Sequence, residues 1–170
     1  MRDKNRTAII DWILQIDWEL AITLTFKKDC TEHRARKTMR RLWNGIDRQL
    51  YHKAFKKQWK QVERVCAFEK GQSGTHLHYH IATSPPNDLD ISFDTYRLLI
   101  AKEWDKLSSA GYIKQFQPIY NNKGWAKYMT KEITATNTDV IDEVTTHLNW
   151  FVYVWRIALL FVIWLRCWAW

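Results

Sequence analysis

Thr75-His76-Leu77-His78-Tyr79-His80-Ile81 places three histidines at every second position. In an extended chain alternate side chains share a face, so the run predicts a strand from Thr75 to Thr83 with its imidazoles on one side. Imidazole is a common ligand for divalent metals. The i, i+2 spacing on a rigid strand converges two nitrogens on one ion without bending the backbone. Just upstream, Lys70-Gly71-Gln72-Ser73-Gly74 carries the glycines of a hairpin turn. Residues 62–69 (VERVCAFE) are therefore expected to pair antiparallel with the histidine strand, which puts Glu69 across the hairpin as a carboxylate ligand. A mixed imidazole and carboxylate site suits Mg²⁺ or Mn²⁺ acting on phosphate as a Lewis acid.

Working outward toward the N-terminus, residues 18–27 (WELAITLTFK) alternate Leu20, Ile22, Leu24 and Phe26 with Ala21, Thr23 and Thr25. This is the period of a half-buried strand, and its threonine face is expected to look onto a polar site. Asp29 and Glu32 are spaced as a capping pair, which predicts a helix to about Phe55 with its basic side chains in solvent. Gly45 weakens its middle.

Toward the C-terminus, Ser84-Pro85-Pro86-Asn87-Asp88 reads as a loop. Ser92 caps a predicted helix from Phe93 to Ser108, with Leu98, Leu99, Trp104 and Leu107 as its apolar positions. Gly111 closes that unit, and Tyr112 to Ile119 forms a strand. A helix from Trp125 to Thr134 follows and carries Tyr128, Lys131 and Glu132 on one side; residues 134–149 are polar and weakly patterned. The order strand, helix, strand, strand, helix, strand, helix predicts an α+β fold: a ferredoxin-like antiparallel sheet with helices on one face.

The chain of 170 residues has a formal net charge of +8, with lysine and arginine crowded into residues 27–60. A polyanionic partner is the natural reading of that footprint. Cys30, Cys66 and Cys167 form no CxxC pair, which argues against a zinc finger or a disulfide scaffold and fits a reducing compartment. The N-terminal run lacks the features of a secretory signal. Residues 1–149 are expected to form one domain without a helicase motor. Trp150 to Trp170 stands apart, almost wholly apolar with five tryptophans, and Arg156 and Arg166 as its charges. A membrane helix, an interfacial helix and a non-native extension are all open readings of it.

Tyr128 lies in Gly124-Trp125-Ala126-Lys127-Tyr128-Met129-Thr130-Lys131. The i, i+3 spacing sets Lys131 beside it. Phenols ionise near pH ~10, so attack on phosphorus at neutral pH calls for a neighbouring cation or metal.

Together the Ile22-Thr23-Leu24-Thr25-Phe26 strand, His78-Tyr79-His80 and the downstream Tyr128 to Lys131 segment resemble, in order and spacing, the three motifs of HUH endonucleases. The likeness is strongest to rolling-circle replication initiators of plasmids and small single-stranded DNA replicons, and it covers residues 18–135. It implies a five-stranded sheet with a metal at its centre and a 5′-phosphotyrosyl intermediate with a free 3′-hydroxyl. By the same resemblance Tyr128 is the nucleophile, His78 and His80 are metal ligands, Glu69 is the third and Lys131 assists. His76-Leu77-His78 satisfies the same pattern, so His76 stays open as a further ligand. Thr23, Thr25, Lys27, Lys123 and Lys127 are expected to contact DNA, with the basic helix and exposed aromatics holding the strand. The implied partners are single-stranded origin DNA, a host helicase and a polymerase, in a bacterial cytoplasm or a eukaryotic host nucleus, with membrane contact through residues 150–170 as an open reading. Two rival readings are a single-tyrosine HUH transposase and a non-catalytic ferredoxin-like nucleic-acid-binding module.

Overall fold

A computed structural model describes residues 2–71, 76–134, 137 and 139–148; the C-terminal tail and residues 72–75 of the expected hairpin turn lie outside the described residues. The elements run α1 (Arg2–Ile13), β1 (Leu20–Phe26), α2 (Glu32–Tyr51), α3 (Lys53–Gln58), β2 (Arg64–Glu69), β3 (His78–Thr83), α4 (Phe93–Asp105), β4 (Ala110–Pro118) and α5 (Asn122–Met129). The α+β class holds, with one antiparallel sheet in the order β2-β3-β1-β4. Four strands are present among the described residues rather than five.

Strand alternation decides both layers. Leu20, Ile22, Leu24 and Phe26 of β1, Cys66 and Phe68 of β2, and Tyr79 and Ile81 of β3 form one buried face. Against it pack α2, through Ala35, Met39, Leu42, Trp43 and Ile46, and α4, through Tyr96, Ile100 and Trp104. The i, i+4, i+8 set of α4 displaces the expected one: Leu98 is exposed. Helices are not confined to this face. Val65, Ala67 and Ala82 on the other side are covered by α5 (Ala126, Met129), by Ile13 at the end of α1 and by Trp18.

Several boundaries move for identifiable reasons. Thr31, not Asp29, caps α2, its side chain accepting from the Arg34 N–H. The single helix expected to Phe55 breaks at His52, where φ is 45°, and resumes as α3. Gly45 does not interrupt α2; a Cβ there would meet Glu103 Oε2 at 3.2 Å, so the glycine serves close approach to α4. β4 begins at Ala110, and Gly111 sits inside it at a register shift. There a Cβ would stand 2.6 Å from the Thr25 carbonyl oxygen.

Residues 140–148 are more than a weakly patterned tail. His147 and Arg64 exchange backbone hydrogen bonds of 2.9 and 2.7 Å, Val140 O accepts from Phe68 N at 2.7 Å, and Asp142 N donates to Cys66 O at 2.8 Å. The segment thus covers the outer edge of β2 with isolated bridges. Asp142, buried, also accepts from Tyr79 Oη at 2.5 Å through the core.

Candidate active site

The face opposite α2 and α4 carries the chemistry. Register aligns Glu69 with His78 and Thr25 in one row across β2, β3 and β1, and Ala67 with His80, Thr23 and Gln115 in the next, which extends onto β4. Two imidazoles two residues apart therefore stand beside a carboxylate. Glu69 Oε2 lies 3.3 Å from His78 Nε2 and 3.0 Å from His80 Nε2. The three ligand atoms all fall within 4.8 Å of one another.

Of the two overlapping histidine pairs, the structure brings together His78 and His80. β3 begins at His78, so His76 is off the strand, exposed, and outside the cluster, contrary to the expectation of one face for all three. It contributes through its backbone: the His76 carbonyl accepts from His78 Nδ1 at 2.8 Å. A carbonyl only accepts, so the His78 proton is fixed on Nδ1 and neutral Nε2 keeps its lone pair toward Glu69. His80 is buried and its Nδ1 is hydrogen-bonded to Thr23 Oγ1 at 3.0 Å.

Burial, then the positive His78 and Lys131, push the His80 pKa down to about 4. Burial opposes ionisation of Glu69, yet Lys131, His78 and His80 together hold it below the usual carboxylate range. Burial raises the Glu132 carboxyl, and the facing Glu69, hydrogen-bonded to it, raises it further.

The donor set fits a hard or borderline divalent cation. Two neutral imidazole nitrogens and one carboxylate oxygen leave positions for water and a phosphate oxygen in the six-coordinate shell typical of Mg²⁺ or Mn²⁺. No thiolate competes: Cys30 and Cys66 are buried elsewhere, and burial pushes the Cys66 thiol up to about 12.

Tyr128 comes from α5. Asn121 caps that helix by accepting from Gly124 N at 2.8 Å, and Ala126 and Met129 bury its inner side. The Arg6 guanidinium of α1 donates to the Lys127 carbonyl at 2.9 Å, so α1 braces the C-terminal end of α5. Tyr128, 44% exposed, places its ring 4.7 Å from the His80 ring and stacks on Trp125 at 5.4 Å. α5 ends at Met129, short of the expected Thr134. A turn with Lys131 N donating to Tyr128 O at 3.2 Å then returns Lys131 over the tyrosine. Its Nζ lies 4.0 Å from the Tyr128 ring centroid and 2.8 Å from Glu69 Oε2. Burial acts against the Lys131 charge, but Glu69 and Tyr128 raise its pKa above the ordinary lysine value.

The remaining expected contacts separate. Thr23 is engaged with His80, and Thr25 Oγ1 donates to the Ile113 carbonyl at 2.8 Å within the β4 irregularity. Lys27, Lys123 and Lys127 are exposed. Sequence reasoning misses Trp125 and Glu132 as site residues, though Trp125 precedes Tyr128 by the same three residues that single out Lys131. It misses Gln115 and Gln117 too. With Ala21, Thr23, Trp125 and Tyr128 they line a cleft of about 220 Å³ beside the tyrosine.

A family model for the replication-associated protein ORF2 family matches residues 19–136, which span every residue of this site. No curated protein and no solved structure matches the chain.

Proposed function

Because the chain belongs to the replication-associated protein ORF2 family, rolling-circle replication initiators of HUH endonuclease type, we propose that it nicks and rejoins single-stranded DNA through Tyr128. The observation that carries this reading is Lys131, whose ammonium lies 2.8 Å from Glu69 and 4.0 Å from the Tyr128 ring centroid, tying the phenol to the metal-ligand cluster.

A Mg²⁺ or Mn²⁺ ion bound by Glu69, His78 and His80 supplies Lewis-acid polarisation of the scissile phosphate. The chain's own residues do the rest. Trp125 holds the Tyr128 ring by stacking, and Lys131 stabilises the phenolate as its proton leaves to solvent on the exposed side. The phenolate oxygen then attacks phosphorus. The new bond joins Tyr128 to the 5′-phosphate as the bond to the 3′-oxygen breaks, and that oxygen takes a proton to become a free 3′-hydroxyl. The covalent link conserves the phosphodiester energy, so a later 3′-hydroxyl reverses the step and seals a strand. Lys123 and Lys127 on α5, and Lys27 after β1, are proposed to neutralise flanking phosphates. Supply of single strand falls to a host helicase in this scheme.

The test incubates the full chain, wild type and Tyr128→Phe, with a pool of labelled single-stranded oligonucleotides and Mn²⁺, resolved on a denaturing gel. A metal-dependent protein-DNA adduct in the wild type that is absent from Tyr128→Phe is expected. An adduct persisting in the variant moves the nucleophile elsewhere. Binding with no adduct across the pool favours a non-catalytic module.

A further inference from the structure

The densest positive charge of the chain does not face the metal cluster. α2 packs its apolar side on the Leu20–Ile22–Leu24–Phe26 face, while His78 and His80 project from the other side of the sheet. The exposed side of α2 therefore points away from the tyrosine, separated from it by the sheet and a helix layer about 10 Å thick. This corrects the expectation that the basic helix lies along the reacting single strand.

The exposed side is organised. Arg34, Lys37, Arg41 and Arg48 are spaced to fall on one stripe of α2, and all four are exposed. At about 1.5 Å per residue the stripe is roughly 21 Å long. α3 continues the charge with exposed Lys56 and Lys57 in its last turn. From His33 to Gln58 the one carboxylate is Asp47, fully buried against Arg64. On the neighbouring α4, Asp94 and Glu103 are held in local pairs with Arg97 and Lys106. Among the described residues none of the four stripe side chains takes part in an ion pair.

We propose that this stripe is a second nucleic-acid surface that binds the sugar-phosphate backbone of duplex DNA, on the side of the sheet opposite the nicking site. The choice of DNA as polyanion rests on the proposed function; the separateness of the surface rests on the fold alone. Duplex fits better than single strand because the exposed side chains of α2 are cations, amides and a histidine, with no aromatic platform for unstacked bases. A rigid row of about 21 Å spans roughly six base pairs of a B-form backbone, enough for several phosphate contacts without base readout. Functionally, a duplex flank held behind the sheet leaves the histidine face open to the single strand that is cut.

The experiment measures binding of the full chain to a labelled blunt duplex of about 20 base pairs, in EDTA, so that neither metal nor nicking contributes. Arg34→Gln, Lys37→Gln and Arg41→Gln are combined in one variant, and equal thermal melts with wild type establish that it folds. The variant is expected to lose at least about tenfold in duplex affinity, and the slope of log K against log salt is expected to fall by about 2.7, three contacts' worth. Tyr128→Phe is expected to bind the duplex like wild type, and a saturating short oligothymidine is expected not to displace it. Unchanged duplex affinity in the triple variant overturns the proposal. So does displacement of duplex by the single strand, or an equal loss of affinity for both. Failure of the adduct assay alongside intact duplex binding would count against the nicking reading and leave the stripe standing.

Discussion

Thr23 Oγ1 and His80 Nδ1 are 3.0 Å apart, joined across β1 and β3 from residues 57 positions apart in the chain. A hydroxyl both donates and accepts. While His80 Nε2–H donates to Glu69, Thr23 donates to Nδ1; when Nε2 gives its lone pair to a metal, the proton sits on Nδ1 and Thr23 accepts it. The threonine thus supports either tautomer. Thr23→Val is expected to weaken Mn²⁺ binding by about 10- to 100-fold, the usual cost of an outer partner, with Thr23→Ser restoring it. Calorimetric titration of the three proteins checks this; equal affinities would show that the hydrogen bond is incidental.

Lys131 is predicted to separate metal binding from chemistry. Its ammonium sits on the carboxylate oxygen that faces both histidines, so it repels an arriving cation while stabilising the phenolate. Lys131→Met is expected to bind Mn²⁺ about two- to fivefold more tightly at neutral pH, the size of a partly exposed ion pair. The same variant is expected to form the covalent adduct about 10²-fold more slowly. A parallel loss of both properties would mean that the lysine only holds Glu69 in place.

The metal-free protein should lose stability in mild acid. His80 is held to about 4, mainly by burial, below the unfolded value near 6.5. A group with a depressed folded pKa stabilises fully above the unfolded pKa, and that contribution disappears as pH falls through the window between the two values. On the order of 3 kcal/mol at most is at stake between pH ~6.5 and ~4. Urea unfolding in EDTA at a series of pH values, wild type against His80→Gln, reads it out: the wild type should show the steeper fall. Parallel curves would locate the acid sensitivity elsewhere.

How far the chain announces this arrangement differs from part to part. His78-Tyr79-His80 is readable because strand period alone puts both imidazoles on one side, and Tyr128 with Lys131 because helical spacing survives even though Lys131 sits in the turn beyond α5. The break at His52 has no glycine or proline to mark it; only a positive φ imposed by packing makes it visible. Thr23 as a partner of His80 requires the β1–β3 register, which no local pattern contains. The sidedness of the basic helix needs the packing itself, since amphipathicity says which side of α2 is buried but not against which face of the sheet.

Gly111 is expected to tolerate no side chain. A methyl group there would meet the Thr25 backbone carbonyl and Oγ1, each at 2.6 Å, where β4 shifts register against β1. Backbone cannot swing aside as a side-chain tip can, so Gly111→Ala should cost about 1–3 kcal/mol, the range for overpacking. Chemical denaturation gives the number; a change below about 0.5 kcal/mol, the scatter of neutral surface changes, would mean that the strand edge shifts freely.

The boundary of the folded unit is expected to lie beyond residue 148. Residues 140–147 satisfy backbone groups of Arg64, Cys66 and Phe68 on the outer edge of β2, and Asp142 adds the buried bond from Tyr79. Truncation after residue 149 keeps all of these. Truncation after residue 138 strips the edge, leaves the Tyr79 hydroxyl unpaired in the core and exposes a row of free N–H and C=O groups, the arrangement that recruits other chains. The shorter form is therefore expected to melt lower and to aggregate on size-exclusion chromatography, while the 1–149 form remains monodisperse with an intact metal site. Should the two forms behave alike, the edge cover adds no stability, and α5 with the Ile13–Trp18 cluster would have to hold β2 in register without it.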